Sequence, residues 1–383
     1  MKLRLGMIGG GQGAFIGAVH RLAAALDGQY ELVAGAFSSN PDTSRASGQL
    51  LGLSADRVYG SYQELMEQEK ARPAAERVQV ISIVTPNHLH FEPAKQALES
   101  GFDVVLDKPL TFSLAEAKEL AAVVQATGRR LCLTHTYTGY PMVKEARQLV
   151  AAGTLGRIRK VYVEYPQGWL SNFEEGGANK QAAWRTDPAR SGVAGAMGDI
   201  GTHAFNLLEY VSGLQVEQLC ADINTVVEDR RLDDDGAVLL RLSGGASGVL
   251  VATQVAAGEE NNVRIRVYGE KGGLDWMQAD ANTLLVKWLD KPTEIWRTGG
   301  PYVSSFASHN TRTPAGHPEG YLEAFANLYR NFALTLQAEQ AGQPAPPEAL
   351  DYPSIDEGVR GMAFIENVIA SGHSTQKWTD FTV

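Results

Sequence analysis

Leu3-Arg4-Leu5-Gly6-Met7-Ile8-Gly9-Gly10-Gly11-Gln12-Gly13-Ala14 decides the architecture of the first third of this chain. Leu3 to Ile8 is an apolar run of the kind buried in a parallel sheet. Gly9 to Ala14 then satisfies G-x-G-x-x-A directly before an Ala/Leu-rich helix. Glycines let backbone amides approach a phosphate, and a helix N-terminus adds partial positive charge, so this is the context a dinucleotide needs. No Gly-Lys-Ser/Thr follows, which excludes a P-loop.

Strand and helix keep alternating downstream. Glu31 to Phe37 reads as a second strand, and Asn40-Pro41-Asp42 as an N-cap with proline at the first helical position. Val78 to Val84, Val104 to Leu106 and residues 130–135 are further strands, separated by helices 92–99 and 113–126 that Gly101 and Gly128 close. The pattern predicts a doubly wound parallel sheet, an α/β Rossmann domain over residues 1–138. Segment 67–77, charged and broken by Pro73, reads as a surface insertion.

The grammar changes after about residue 155. Arg159 to Glu164 alternates as a half-buried strand, and 218–227, 237–242, 247–256 and 262–268 follow, with turns at Gly244-Gly245 and Gly269 to Gly273. Helices at 199–211, 319–338 and 354–371 accompany them. This predicts an α+β domain with a large, mostly antiparallel sheet over 139–383, binding substrate and carrying oligomerisation, with helix 354–371 placed to pack back on the first domain. Such a sheet must cover its apolar face, so a homodimer or homotetramer joined through strands 218–268 is expected. Asp233-Asp234-Asp235-Gly236 lacks the spacing of a calcium loop and reads as a turn.

Composition bounds the partners. The 383 residues are 44% hydrophobic and 20% charged with net charge −10, ordinary for a globular protein and without the basic run that nucleic acid requires. Cys132 and Cys220 are the only cysteines, so neither a disulfide framework nor a Cys-ligated metal is expected. No apolar stretch approaches a membrane span, and Met1 to Leu5 runs into a strand without a signal-peptide pattern; a cytoplasmic protein is the expectation.

Four segments carry chemistry. Strand Val104 to Leu106 ends at Asp107-Lys108-Pro109, and proline cannot continue the ladder, so Lys108 is delivered to the carboxyl edge, where open α/β folds bind ligands. A solvated lysine beside a turn is the competing reading. Strand two ends Ser38-Ser39-Asn40 with no acid for a ribose; Arg45 and the hydroxyls suit a 2′-phosphate, and Ser38 equally suits a plain ribose, so NAD and NADP both stand, with a lean to NADP. Thr85-Pro86-Asn87-His88-Leu89-His90 should lie beside the nicotinamide ribose; a histidine lining the cleft and a helix-start histidine in a structural hydrogen bond weigh alike there. Neither His88 nor His90 has the acids for a metal site. In Gly198-Asp199-Ile200-Gly201-Thr202-His203, Asp199 and His203 share a helix face, and an imidazole near a carboxylate and a lysine can shuttle a proton; an Asp in the first helical turn with an unrelated buried histidine is the competing reading, and the stronger one for this segment in isolation.

These motifs, in this order, resemble the glucose–fructose oxidoreductase/inositol dehydrogenase family, Gfo/Idh/MocA. The resemblance covers nearly the whole chain and includes Pro318-Glu319-Gly320-Tyr321. It implies an NAD(P)-dependent oxidoreductase acting on a sugar, anhydrosugar or inositol, with Lys108, Asp199 and His203 as the catalytic group. The cofactor would meet Gly9, Gly11, Gln12, Gly13, Ala14, Phe15, Ile16, Ser38, Ser39, Arg45, Thr85, Pro86, Asn87, His90, Asp107 and Lys108. Substrate would meet Lys108, Tyr137, Gln167, Trp184, Arg185, Asp199, His203 and His317. Tyr165 and Trp169 stand nearby, with apolar packing the stronger reading for both. Departures are Asp107 in place of glutamate, and a lengthened loop before Gly17-Ala18-Val19-His20 that leaves open whether Ala14 or Gly17 takes the third-glycine role. Two other functions fit less well: an NAD-dependent glycosidase or lyase working through transient oxidation, and a nonenzymatic nucleotide sensor.

Overall fold

The computed structural model describes residues 2–177 and 179–383, and the chain divides into two compact units. Unit 1 comprises residues up to Thr136 together with Tyr321–Val359; unit 2 comprises Tyr137–Gly320 and Arg360–Val383.

Unit 1 is built on β1 (Leu3–Gly9), β2 (Tyr30–Ala36), β3 (Val80–Val84), β4 (Asp103–Leu106) and β5 (Leu131–Leu133), all parallel in the order β2-β1-β3-β4-β5. Helices α1 (Phe15–Leu26), α2 (Pro41–Leu50), α3 (Tyr62–Ala71), α4 (Phe91–Glu99) and α5 (Leu114–Thr127) connect them. The chain reverses direction between β1 and β3, which opens a crevice at the carboxyl edge where the glycine loop and the Thr85 loop emerge. Asn40 caps α2 as its sequence demands, accepting from the Asp42 and Thr43 amides.

Residues 67–77 lie on the surface as expected, with one exception: α3 runs to Ala71, and Glu69 is buried because it receives Arg57, the Tyr59 hydroxyl and the Val78 amide. The first unit's continuous part ends at Thr136, close to the expected 138, but a later segment, Tyr321–Val359, rejoins it. Helix α11 (Tyr321–Gln340) belongs to unit 1, where it packs on α1. Its Phe325, Leu328, Tyr329, Phe332 and Leu336 recur at helical spacing and join Leu3, Leu5, Val80 and Val105 in one apolar core.

Unit 2 carries β6 (Ile158–Pro166), β7 (Val216–Asn224), β8 (Asp235–Leu242), β9 (Ser247–Thr253), β10 (Arg264–Gly269), β11 (Gly272–Met277), β12 (Thr283–Trp288), β13 (Glu294–Arg297) and β14 (Thr379–Asp380). They form one nine-stranded sheet, β13-β12-β11-β10-β6-β9-β8-β7-β14, antiparallel except for β6 beside β9. Its helices are α6 (Pro141–Ala151), α7 (Lys180–Arg185), α8 (Pro188–Ser191), α9 (Thr202–Ser212) and α10 (Ser305–His309). The last helix, α12 (Ile355–Gly372), falls in unit 1 through Val359 and in unit 2 from Arg360. The expected return to the first domain is therefore made mainly by α11.

Burial alternates along the strands, as a sheet with one covered face requires: Val238, Leu240 and Leu242 are buried while Ala237, Leu239 and Arg241 face outward. Gly269 to Gly272 joins β10 to β11 as a tight hairpin. Asp233 and Asp234, in the expected turn, are buried. Asp233 accepts the Gly195 and Met197 amides, and Asp234 accepts the Val226 and Val227 amides beside Arg230. Among the described residues no helix is long and apolar enough to cross a membrane.

The glycine loop is locked to α1 by a contact between backbones. A Cβ on Gly17 would lie 2.3 Å from the Gly10 Cα, so Gly17, not Ala14, takes the close-packing glycine role. Ala14 is the N-cap residue of α1. Gly17→Ala should accordingly destabilise the protein by about 1–3 kcal/mol, the range for forced overpacking. Urea unfolding monitored by tryptophan fluorescence checks this, and an unchanged midpoint would remove the close-packing role.

Candidate active site

In unit 1 the carboxyl edge of the sheet gathers three loops. Gly9, Gly10 and Gly13 hold positive φ, which L side chains rarely adopt, and no atom lies within 4 Å of the position a Gly13 Cβ would take. Gly10 and Gly11 have no room for a side chain, and a glycine-rich loop placed directly before the start of α1 is a backbone that fits a dinucleotide pyrophosphate. Gly11 is pressed against the Phe37 carbonyl, while the Gln12 amide donates to Ser47 Oγ. Arg21 steadies the loop by donating to the Gly10 carbonyl at 2.7 Å. Phe15 is 68% exposed at the helix start.

After β2, Ser38 Oγ accepts the Asn40 amide, and Arg45 pairs with Asp42 at 3.2 Å on the exposed surface. After β3, Thr85 Oγ1 donates to the Leu89 carbonyl, Asn87 is buried and His88 exposed. His90 is buried, with its two ring nitrogens facing the carbonyls of Pro109 and Thr85. Of the two readings open for this histidine, the structural hydrogen bond is the one observed, and the ring has no nitrogen left to aim at a cofactor.

The Lys108–Pro109 bond is cis, and the turn is organised by Asp107. Asp107 Oδ1 accepts the Lys108 amide at 3.0 Å and the Thr134 hydroxyl at 2.9 Å, with His20 Nε2 at 3.7 Å. Burial works to raise the Asp107 pKa, but His20, Lys108 and His90 outweigh it and hold the carboxyl well below the usual carboxylate range. His20 Nδ1 lies 2.8 Å from the Tyr329 hydroxyl, which lies 2.8 Å from Ser82 Oγ. Ser82, Thr134, His135 and Tyr329 were not anticipated at this turn. Tyr329 could not be, since it stands more than two hundred residues along the chain.

In unit 2, Asp199 sits in a π turn, Met197–Gly201, that runs directly into α9 and His203. Such widened turns recur at functional sites. Asp199 Oδ2 accepts Gln254 Nε2 at 2.9 Å and lies 3.4 Å from Arg185 Nε. Arg185 also stacks over Trp184, 4.4 Å from the ring centroid. His203 meets Tyr137 edge-on at 5.0 Å, with Tyr165 at 6.4 Å.

The Tyr137 and Tyr165 hydroxyls bond each other, Tyr165 donates to Asn261 Oδ1, and Gln167 bonds Asn261 while accepting Trp169 Nε1. Gln254 reaches Gln167 Oε1 at 3.4 Å, so one polar array runs from Asp199 to the tyrosine pair. Burial, reinforced by Asp199, raises the Tyr137 pKa, so its hydroxyl stays protonated. The structure thus brings Tyr137, Gln167, Arg185, Asp199 and His203 together within this unit, with Trp184 beside Arg185. Trp169 belongs to the hydrogen-bonded array rather than to apolar packing. His317 does not join them; it lies exposed on the turn before α11, its ring against the Pro314 carbonyl. Gln254 and Asn261 were missed because amides carry no spacing signature.

Residues 3–135 match the model of an oxidoreductase family with an NAD-binding Rossmann fold, and residues 143–275 match the GFO/IDH/MocA C-terminal domain. The oxidoreductase YfiI of Bacillus subtilis, itself uncharacterised, is 32% identical over 99% of this chain and 97% of its own length. The levoglucosan dehydrogenase of Pseudarthrobacter phenanthrenivorans is 26% identical over 99% of this chain and 98% of its own. An inositol dehydrogenase homologue of Azotobacter vinelandii, solved with NAD+, superposes with TM-score 0.94 at 35% identity, covering 100% of this chain and 98% of that one. The chain belongs to the GFO/IDH/MocA oxidoreductase family. It is an NAD(P)-dependent dehydrogenase of that family, with sugar- and inositol-related neighbours.

One acid-dependent consequence is measurable. Burial, with Lys108 adding to it, lowers the His135 pKa to about 3. An unfolded chain would take up that proton near ~6.5, so the unfolded state binds more protons between the two values. His135 therefore contributes stability that is present above pH ~6.5 and lost as pH falls towards 3. His135→Gln should flatten the stability–pH curve across this window by a few kcal/mol, read from urea midpoints; an identical slope in the two proteins would contradict it.

Proposed function

We propose that this dehydrogenase moves a hydride between nicotinamide and a secondary alcohol or ketone of a sugar, anhydrosugar or inositol. The observation that carries the reading is the carboxyl edge of the unit 1 sheet. There the glycine loop after β1, the Thr85 loop after β3 and the Lys108 turn after β4 emerge side by side. The character of the relatives supports the substrate class: one is named for levoglucosan, and the Azotobacter homologue was also solved with NADH and myo-inositol.

Lys108, Asp199 and His203 form the catalytic group in this reading. When bound, the nicotinamide supplies the redox chemistry. His203 removes the proton from the reacting hydroxyl. Lys108 donates a hydrogen bond to the same oxygen and stabilises the negative charge that develops there. Asp199, fixed by Gln254, orients His203 and accepts from a neighbouring hydroxyl. Gln12 to Ile16 and Ser38-Ser39 hold the dinucleotide, with Arg45 available to a 2′-phosphate.

Lys108→Ala and His203→Asn should each lower kcat at least ~10²-fold while cofactor binding persists, the scale of general acid–base effects. Steady-state assays over inositols, pyranoses and anhydrosugars with both cofactors test this, and Arg45→Ala should raise KM for NADP more than for NAD. Near-wild-type turnover by either catalytic variant would remove that residue from the mechanism. Turnover without net change in nicotinamide absorbance would favour the glycosidase or lyase chemistry instead.

Assembly is the second part of the proposal. The outward face of the unit 2 sheet shows Leu239 and Ile295 exposed around the paired Arg264, Asp275 and Lys287. A homodimer or homotetramer joined through strands 218–268 would cover it. Light scattering at assay concentration should return a multiple of 41.3 kDa, and a monomer would end the idea.

A further inference from the structure

His90 stands at the start of α4, wholly buried, and spans two loops of unit 1. Its Nδ1 lies 2.7 Å from the Pro109 carbonyl oxygen and its Nε2 lies 2.8 Å from the Thr85 carbonyl oxygen. Thr85 opens the loop after β3, and Pro109 closes the turn that carries Lys108. We propose that His90 is a positioning residue: its ring is a strut that holds the lysine turn at a fixed separation from the Thr85–Asn87 loop. The inference rests on the reading of Lys108 as catalytic and of that loop as cofactor-side. His90 itself touches neither substrate nor cofactor.

The physical case is that an imidazole is planar and rigid, with a nitrogen on each side. Each carbonyl belongs to a different loop: the neutral ring bonds one of them and packs against the other, and the protonated ring bonds both, so a shift of the bonded loop breaks a buried hydrogen bond. Displacement of a reacting group by about 1 Å costs up to ~10²-fold in rate, so a strut placed behind the chemistry has kinetic leverage. The charged side chains facing the ring are Asp107 and Lys108.

Carbonyl oxygens only accept, so both contacts are hydrogen bonds only when both nitrogens carry protons. Burial lowers the His90 pKa, with Asp107 and the two carbonyls opposing that shift and Lys108 adding to it. The second bond therefore forms as pH falls and is released as pH rises, while the neutral ring keeps one.

Two measurements test the strut. In the intact protein labelled with 15N-histidine, at least one His90 ring N–H should be protected from solvent exchange at pH 7, and a second should appear on acidification. The exposed His88 serves as the internal reference, and a His90 ring exchanging as fast as His88 overturns the proposal. In kinetics, His90→Leu should lower kcat by ~10- to 10²-fold while ADP-ribose affinity, read by calorimetry, stays within ~3-fold; His90→Gln, which keeps one donor, should recover part of the loss. A folded His90→Leu protein with wild-type kcat, or one that loses ADP-ribose affinity as steeply as kcat, also overturns it. Should the wild-type protein oxidise no polyol at all, the functional reading fails, and the exchange measurement still decides the strut.

Discussion

The Lys108 turn depends on a half-buried carboxylate that is kept charged. Asp107 follows β4 directly, and burial by itself would push it towards the neutral acid. The surroundings reverse that preference: the Lys108 amide and Thr134 hydroxyl bond one oxygen, and His20 stands close by. Each of those groups comes from a different element, so satisfying one charge fixes β4, β5 and α1 relative to one another. Lys108 inherits its place from this arrangement, because its own amide is one of the bonds. A glutamate, as the family resemblance leads one to expect, would reach one methylene further; the shorter Asp107 draws the anchoring point in towards the strand end.

A second dependence runs through α11. Its Tyr329 hydroxyl meets both His20 and Ser82, and its apolar face completes the core over β1, β3 and β4. The first unit is therefore closed by a segment that lies far away in sequence, and the polar chain behind Asp107 is completed only when that segment docks. Buried polar groups linked in this manner specify one arrangement, since a displaced hydroxyl leaves its partner unsatisfied in a dry interior. In unit 2 the same logic holds Asp199: a π turn presents it, the buried Asp233 accepts the amides of Gly195 and Met197 at that turn, and Gln254 fixes one of its oxygens.

What the sequence determined by itself was the periodic part of this protein. Strands and helices of the Rossmann unit, the glycine loop, the lysine at the sheet edge and the antiparallel second sheet all follow from local rules: apolar runs, caps, glycines and proline. Those rules act over a few residues, so they are readable from a few residues. Tertiary structure alone decided which distant groups meet. It gave α11 to the first unit, made Gly17 rather than Ala14 the close-packing residue, and buried Asp233-Asp234 as acceptors within their turn. It also spent both nitrogens of His90 on backbone carbonyls and joined Gln254 and Asn261 to the Asp199 array. Each outcome depends on burial and on a partner contributed by another part of the chain. Neither a buried carboxylate nor an amide between two acceptors leaves a periodic trace along the sequence.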